Sequence, residues 1–173
     1  MGCVLNSGVL RDCGHSFGGI KELWLGNFAD IEEMEYDANG QVTGATLVSG
    51  ATIYEFQFVK DTGQALEELQ KEGASSFINQ TLNFQLNNIT MDKKKVLSDL
   101  SLSTIFAIVK KVDNQYWFYG EQAKSAGLEA TELSIDTGTA QTDAAGATIA
   151  LVGASLDYAS VITDNAVVSL LAE

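Results

Sequence analysis

The stretch that most limits what this chain can become covers residues 52–89, where two runs of strict alternation flank a polar, Gly-bounded connection. In TIYEFQFVK, Tyr54, Phe56 and Phe58 fall on one face of an extended strand, and Ile53, Glu55, Gln57 and Val59 fall on the other. In SFINQTLNFQLNNIT, Ile78, Leu82, Phe84 and Leu86 share one face, opposite Asn79, Thr81, Asn83, Gln85 and Asn87. A period of two belongs to strands, so the stretch predicts a long hairpin with one apolar side and one amide-lined side. At about 3.4 Å per residue a strand over 76–89 would reach roughly 45 Å. A domain of this length has a radius of gyration of only about 16 Å, so the hairpin is expected to extend past its own domain. Asn is a poor strand former. The amide-rich strand therefore needs neighbours on both sides, other subunits included.

Bulk composition narrows the field. With 173 residues, 46% hydrophobic and 19% charged, the chain is long and apolar enough for one domain with a real core. It has no Pro and 16 Gly, which leaves turns to Gly, Asn and Asp and strands uninterrupted. A mainly β fold is expected. The net charge of -13 argues against a surface that grips nucleic acid. No apolar run approaches the roughly 20 residues of a membrane span, and the first residues lack the basic and apolar regions of a secretory signal, so assembly in a cytoplasm is expected. Gly2 and Cys3 resemble an acylation site, but Asn6 stands where Ser or Thr is required and no polybasic segment follows.

Along the chain, residues 1–19 form an N-terminal arm that carries both Cys (Cys3, Cys13), the only Arg (Arg11) and the only His (His15). Cys3, Cys13 and His15 are zinc-type ligands, but their spacing fits no standard finger and a fourth ligand is not evident, so a thiol pair without metal is the preferred reading. Residues 20–173 form the domain. Strands are expected at 20–25, 31–36 and 41–48, the last two joined by a turn at 37–40. Residues 64–72 have helical composition inside the 61–74 connection, which reads either as a short helix or as a loop, with Glu67, Glu68, Lys71 and Glu72 solvated. Thr90 or Asp92 caps a helix at 92–102. Its Lys93, Lys94 and Lys95 read as a solvated face or, against this overall charge, as an intersubunit ion-pair patch. Asp113 and Asn114 make a tight turn between TIFAIVKKV and QYWFYG, a strand pair expected to be covered on both faces. The tail is rich in small residues, with a strand at 128–135, a turn at 143–146, and strands at 148–152 and 166–171.

Signatures of catalysis are missing. A nucleophile triad needs a His with an acidic partner, and neither a P-loop nor a G-x-G-x-x-G turn occurs. No enzymatic activity and no cofactor are expected.

The ordered set GGIKELWLGNF, YEFQFVKDTG, FINQTLNFQL, YWFYG and ATIALVGASLDYA, preceded by the Cys-containing arm, resembles the major tail tube protein of long-tailed bacteriophages, especially the group from phages of Bacteroidetes. The resemblance implies a tail-tube-type β-sandwich or barrel with one flanking α-helix, a long β-hairpin and an extended arm. It also implies a homohexamer whose rings stack into the tube that conducts DNA, in a virion tail. Its partners would be itself, the tail terminator, the baseplate and the tape measure protein, with DNA only as cargo and no membrane. Glu55, Gln57, Asn79, Thr81, Asn83, Gln85 and Asn87 would line the lumen. Tyr54, Phe56, Phe58, Leu82, Phe84 and Leu86 would form the core face, and Glu67, Glu68, Lys71, Lys93, Lys94 and Lys95 would make contacts between subunits or rings. Two alternatives stay open: a terminator or connector ring protein, and a ligand-binding virion module with Trp24, Trp117 and Tyr119 as an aromatic platform.

Overall fold

The computed structural model describes residues 7–9, 18–139 and 145–171. Most of the predicted arm, with Cys3, Arg11, Cys13 and His15, lies outside the described residues, as do Asp143 and Ala144 of the predicted 143–146 turn.

The chain is mainly β, in two sheets. The seven-stranded sheet contains β1 (Ile20–Asn27), β2 (Ile31–Tyr36), β3 (Val42–Leu47), β4 (Tyr54–Glu55), β7 (Ile105–Lys111), β8 (Tyr116–Tyr119) and β11 (Ser160–Ile162), in the order β2-β3-β11-β8-β7-β1-β4. The four-stranded sheet runs β5-β6-β10-β9, from β5 (Gln64–Glu72), β6 (Ser75–Asn87), β10 (Gly146–Ser155) and β9 (Glu129–Asp136). Two helices complete the fold, α1 (Met91–Leu102) and α2 (Asp164–Leu171). Neither sheet closes on itself.

The sheets stack face to face. Leu23 and Leu25 of β1, Ala107 and Val109 of β7, and Tyr119 of β8 meet Leu82, Phe84 and Leu86 of β6 and Ile149 and Leu151 of β10, while Leu97 and Leu100 of α1 close one side. A second core lies on the far face of the larger sheet. There Phe106, Ile108, Phe118 and Ile162 sit beneath Ala166, Val167 and Leu170 of α2. Phe106 stacks on Phe118 with ring centroids 5.1 Å apart, and a side chain at Gly26, opposite Phe106 in the β1–β7 ladder, would strike the Phe106 ring. Residues 105–109 are consequently buried on both faces, which explains their unbroken apolar run.

Three sequence expectations are corrected. The partner of β6 in the hairpin is β5, in nine cross-strand pairs from Gln64↔Asn83 to Glu72↔Ser75, and not residues 53–59. Residues 64–72 are neither helix nor loop. Their Ala, Leu, Glu and Lys content favours a helix in isolation, but pairing along the whole strand outweighs that weak preference. Gly73, at the first position of the two-residue turn with φ 59°, makes the hairpin tight. The alternating residues 54–59 instead cross from one sheet to the other. Phe56 N–H donates to Leu23 O (2.8 Å), then Val59 N–H donates to Gln85 O (2.8 Å). An extended crossing has the same in-and-out period as a strand, which is why the pattern misleads.

Tyr54 is the second correction. It pairs with Leu25 and so belongs to the apolar side, yet it is 60% exposed because β4 is the sheet's edge and no described residue packs beyond it. Phe56 and Phe58 do turn inward, with ring centroids 6.2 and 6.3 Å from Phe84. Third, residues 166–171 belong to a second helix rather than a strand. Val167 N–H donates to Thr163 O at 3.1 Å, and Ala166, Val167 and Leu170 form one buried face. The α1 helix starts where capping chemistry places it, with the Thr90 hydroxyl accepting from Lys93 N–H at 3.4 Å.

Candidate functional site

Two places carry unusual polar chemistry: the outward face of the four-stranded sheet, and a carboxylate network where the two sheets are joined.

The outward face follows from register. Leu82, Phe84 and Leu86 point into the sandwich, so Asn79, Thr81, Asn83, Gln85 and Asn87 point away from it. On β5 the same face receives Gln64 opposite Asn83, Leu66 opposite Thr81, Glu68 opposite Asn79 and Gln70 opposite Phe77. On β10 it receives Thr148 opposite Gln85 and Ala150 opposite Asn83, and on β9 Ser134, Glu132 and Asp136. Neither hydrophobic core draws on these residues. No lysine of these four strands points this way: Lys71, opposite Ser76, has the inward parity of Glu67 and Leu69. Val152 opposite Thr81 and Ala154 opposite Asn79 face the same way, so the face is an amide and hydroxyl surface edged with carboxylates and interrupted by the apolar Leu66, Phe77 and Val152. Cations are what hold phosphates, so it presents nothing for a polyanion to grip.

Glu55 and Gln57 are not part of it. They lie at the edge of the larger sheet and in the crossing, 3.5 Å from each other, because their segment pairs with β1. Glu68 was expected as a solvated residue or a contact between subunits or rings, whereas Gln64, Gln70, Glu132 and Asp136 carry no expectation from the sequence. Alternation in 64–72 and 129–136 was the available signal. Glu67, Glu68 and Lys71 sit on the hairpin and Lys93, Lys94 and Lys95 on α1, and no described contact joins the two groups within one copy. Trp24, Trp117 and Tyr119 form no shared platform: Trp24 packs on the core beneath α2, Trp117 and Tyr119 on the core between the sheets, and Tyr119 is fully buried.

The network is centred on Glu121, 2% exposed and just beyond β8. Its Oε1 accepts from Ser160 N–H at 2.6 Å, and its Oε2 accepts from the Tyr36 hydroxyl at 3.1 Å and lies 3.3 Å from Lys124 Nζ. Glu67 of β5 accepts from the preceding amide, Ala159 N–H, at 2.6 Å and from Gln80 Nε2 at 3.5 Å. Gln80 breaks the apolar pattern of β6 and is 1% exposed; its Oε1 accepts from Gly120 N–H at 3.3 Å. Two carboxylates therefore grip successive amides of the loop that carries the chain from the small sheet to the large one. Every oxygen named is committed to a donor, which suits anchoring better than proton transfer. Burial pushes the Tyr36 and Tyr119 hydroxyls far up, helped by the charges of Glu121 and Glu67 respectively.

Burial also raises the Glu67 pKa, opposed by Ala159 N–H and Gln80 and reinforced by the charges of Glu121 and Asp157. A raised folded value means that Glu67 favours the folded state below the ordinary carboxylate range. That contribution is lost as the pH rises through its folded pKa. Glu67→Gln is therefore expected to gain melting temperature relative to the parent between pH 4 and pH 8; a difference that moves the other way would show the ionised carboxylate to be the better partner.

Among the described residues no three His, Cys, Asp or Glu are placed to hold a metal ion, and no helix is long and apolar enough to cross a membrane. Compared with protein-family models, characterised proteins and solved structures, the chain finds no match.

Proposed function

We propose that this protein is a non-enzymatic structural subunit of a bacteriophage tail tube, assembling into hexameric rings that stack in the virion tail, with the four-stranded sheets turned towards the lumen. The observation that carries the reading is the outward face of β5, β6, β10 and β9, amide-lined, carboxylate-edged and free of lysine. DNA passing along such a wall meets hydrogen-bonding groups that keep it wet and no cations that would hold it. Strands β5 and β9 are the sheet's edges, and their outer backbone groups can pair with the next copy. Sheets joined in this way would make a barrel wide enough for an aqueous channel. In this reading the partners are further copies, the tail terminator, the baseplate and the tape measure protein.

Purified protein is expected to form rings and tubes in electron micrographs. A monomer at high concentration overturns the proposal, and rings that never polymerise favour a terminator or connector. The wall assignment has its own test. Asn83→Lys with Gln85→Lys should leave tubes intact while cutting infectivity at least tenfold, because each lysine adds a phosphate contact to the channel. Undiminished infectivity with normal assembly would place another surface in the lumen.

A further inference from the structure

A trough of about 1020 Å³ opens along the side of the sandwich, between residues 54–60, the Leu86–Asn87 end of β6 and α1. Leu25, Phe56, Phe58, Leu86, Leu97 and Leu100 give it an apolar lining. Its volume is at the top of the roughly 300–1,000 Å³ of small-ligand sites, which are likewise apolar clefts with a few polar groups that fix orientation. The polar groups here are Glu55, Asp92 and Asp99 with Lys60 and Lys93, and their placement is uneven.

Chain direction locates the two ends. Val59 N–H donates to Gln85 O, which sets Val59, Lys60 and Asn87 beside the first turn of α1, with Asp92 and Lys93. Lys93 Nζ is held there, donating to Asn87 O at 2.8 Å. Tyr54 pairs with Leu25, and Asn27 pairs with Ile105 just beyond α1, which sets Tyr54 and Glu55 towards Asp99 and Ser103. Both lining lysines are therefore at the first end, and Asp99 is about 10 Å further along the helix. Lys95, four residues before Asp99, neither lines the trough nor pairs with it. The charged lining of the second end is Glu55 and Asp99, both exposed and in no described ion pair. The carbonyl end of α1 adds partial negative charge. Tyr54, 60% exposed, brings an aromatic ring to the same end, and such rings attract cations.

We infer that the trough binds a small elongated organic cation, with its apolar body along Phe56, Phe58, Leu97 and Leu100 and its ammonium group beside Glu55, Asp99 and Tyr54. Residues 54–60 span about 20 Å, long enough for an aryl or alkyl body with a head group at one end. A neutral molecule of the same shape meets the same lining and gains nothing from the acidic end. An anionic one is repelled there and has to reverse to reach Lys60. The site is separate from the amide face and from the carboxylate network, and it does not depend on the tube reading.

Three probes that share one body test it: phenylbutylamine, phenylbutanol and phenylbutyrate, each in equilibrium dialysis against the full chain. The amine should bind at least threefold more tightly than the alcohol and at least tenfold more tightly than the acid. Glu55→Gln with Asp99→Asn should erase the preference for the amine. Tyr54→Ser should weaken the amine at least twofold more than Tyr54→Phe, which keeps the ring. In the parent, saturating amine should slow hydrogen exchange in residues 54–60 and α1, a readout that needs no variant to fold. Equal affinity for the three probes, tightest binding of the acid, protection confined to other residues, or no binding of any probe overturns the inference. Ring and tube formation by the same parent protein is scored separately, so failure here leaves the tube reading standing.

Discussion

Phe84→Ala is expected to destabilise the fold by about 4 kcal/mol, the cost of removing a fully buried aromatic from a packed core. Phe84 is 1% exposed and sits where the two sheets and the crossing converge, in contact with the rings of Phe56 and Phe58. Its removal takes a large apolar surface from the one core that holds the four-stranded sheet to the seven-stranded sheet. Its neighbours on β10 and β7 are held in ladders and cannot collapse into the space, and only Phe56 and Phe58, on the crossing, can shift towards it. Urea denaturation should show the midpoint falling with an unchanged slope, and the melting temperature should drop by on the order of 10 °C. Phe84→Leu, which keeps most of the volume, should lose much less. If Phe84→Ala costs under about 1 kcal/mol, the sheets do not meet at this residue.

Glu121→Leu is expected to cost about 3 kcal/mol, because it strips acceptors from buried donors. Ser160 N–H and the Tyr36 hydroxyl would lose their partner inside the protein, and Lys124 would lose its ion pair. Glu121→Gln keeps an acceptor for Ser160 N–H and should be milder. Lys124, only partly buried, can turn to solvent, so Lys124→Met should also be mild. The predicted order, Leu far worse than Gln or the lysine variant, can be read from urea midpoints. Equal costs for Glu121→Leu and Lys124→Met would mean that the ion pair, and not the grip on the loop, is what Glu121 provides.

Much of the β framework could be read from local pattern. Strands β1, β2, β3 and β7 to β10 appear where alternation and turn residues put them, and α1 begins at a Thr that caps it. The inward set Leu82, Phe84 and Leu86 and the outward set from Asn79 to Asn87 follow from a period of two that one face must bury. Tyr54 shows the limit of that logic: its parity is right, but parity says nothing about whether a sheet ends there. Residues 64–72 show another limit, since an amphipathic strand built from helix-forming residues declares itself only when its partner is known. The short strand β11 and the helix α2 lie in a tail of small residues whose local preferences decide little.

The candidate site divides in the same way. The amide face of β6 was legible because alternation reports facing directly. The acidic flanks from β5 and β9 were not, because strand order is set by long-range pairing. Glu121, Glu67 and Gln80 come from separate parts of the chain and are polar, so no periodicity marks them as partners; only the docking of two sheets brings them to the loop at Ala159 and Ser160.

By itself, then, the sequence determined a mainly β chain, an over-long hairpin strand with one apolar and one amide side, a capped helix and an acidic character, all consequences of local geometry and composition. The tertiary structure decided which strand partners β6, that residues 54–59 cross between sheets, that Tyr54 stands on an edge strand, and that Glu121, Glu67 and Gln80 meet at the loop between the sheets. These depend on contacts between residues far apart in the chain, whose free energy is gained only when both sheets are in place.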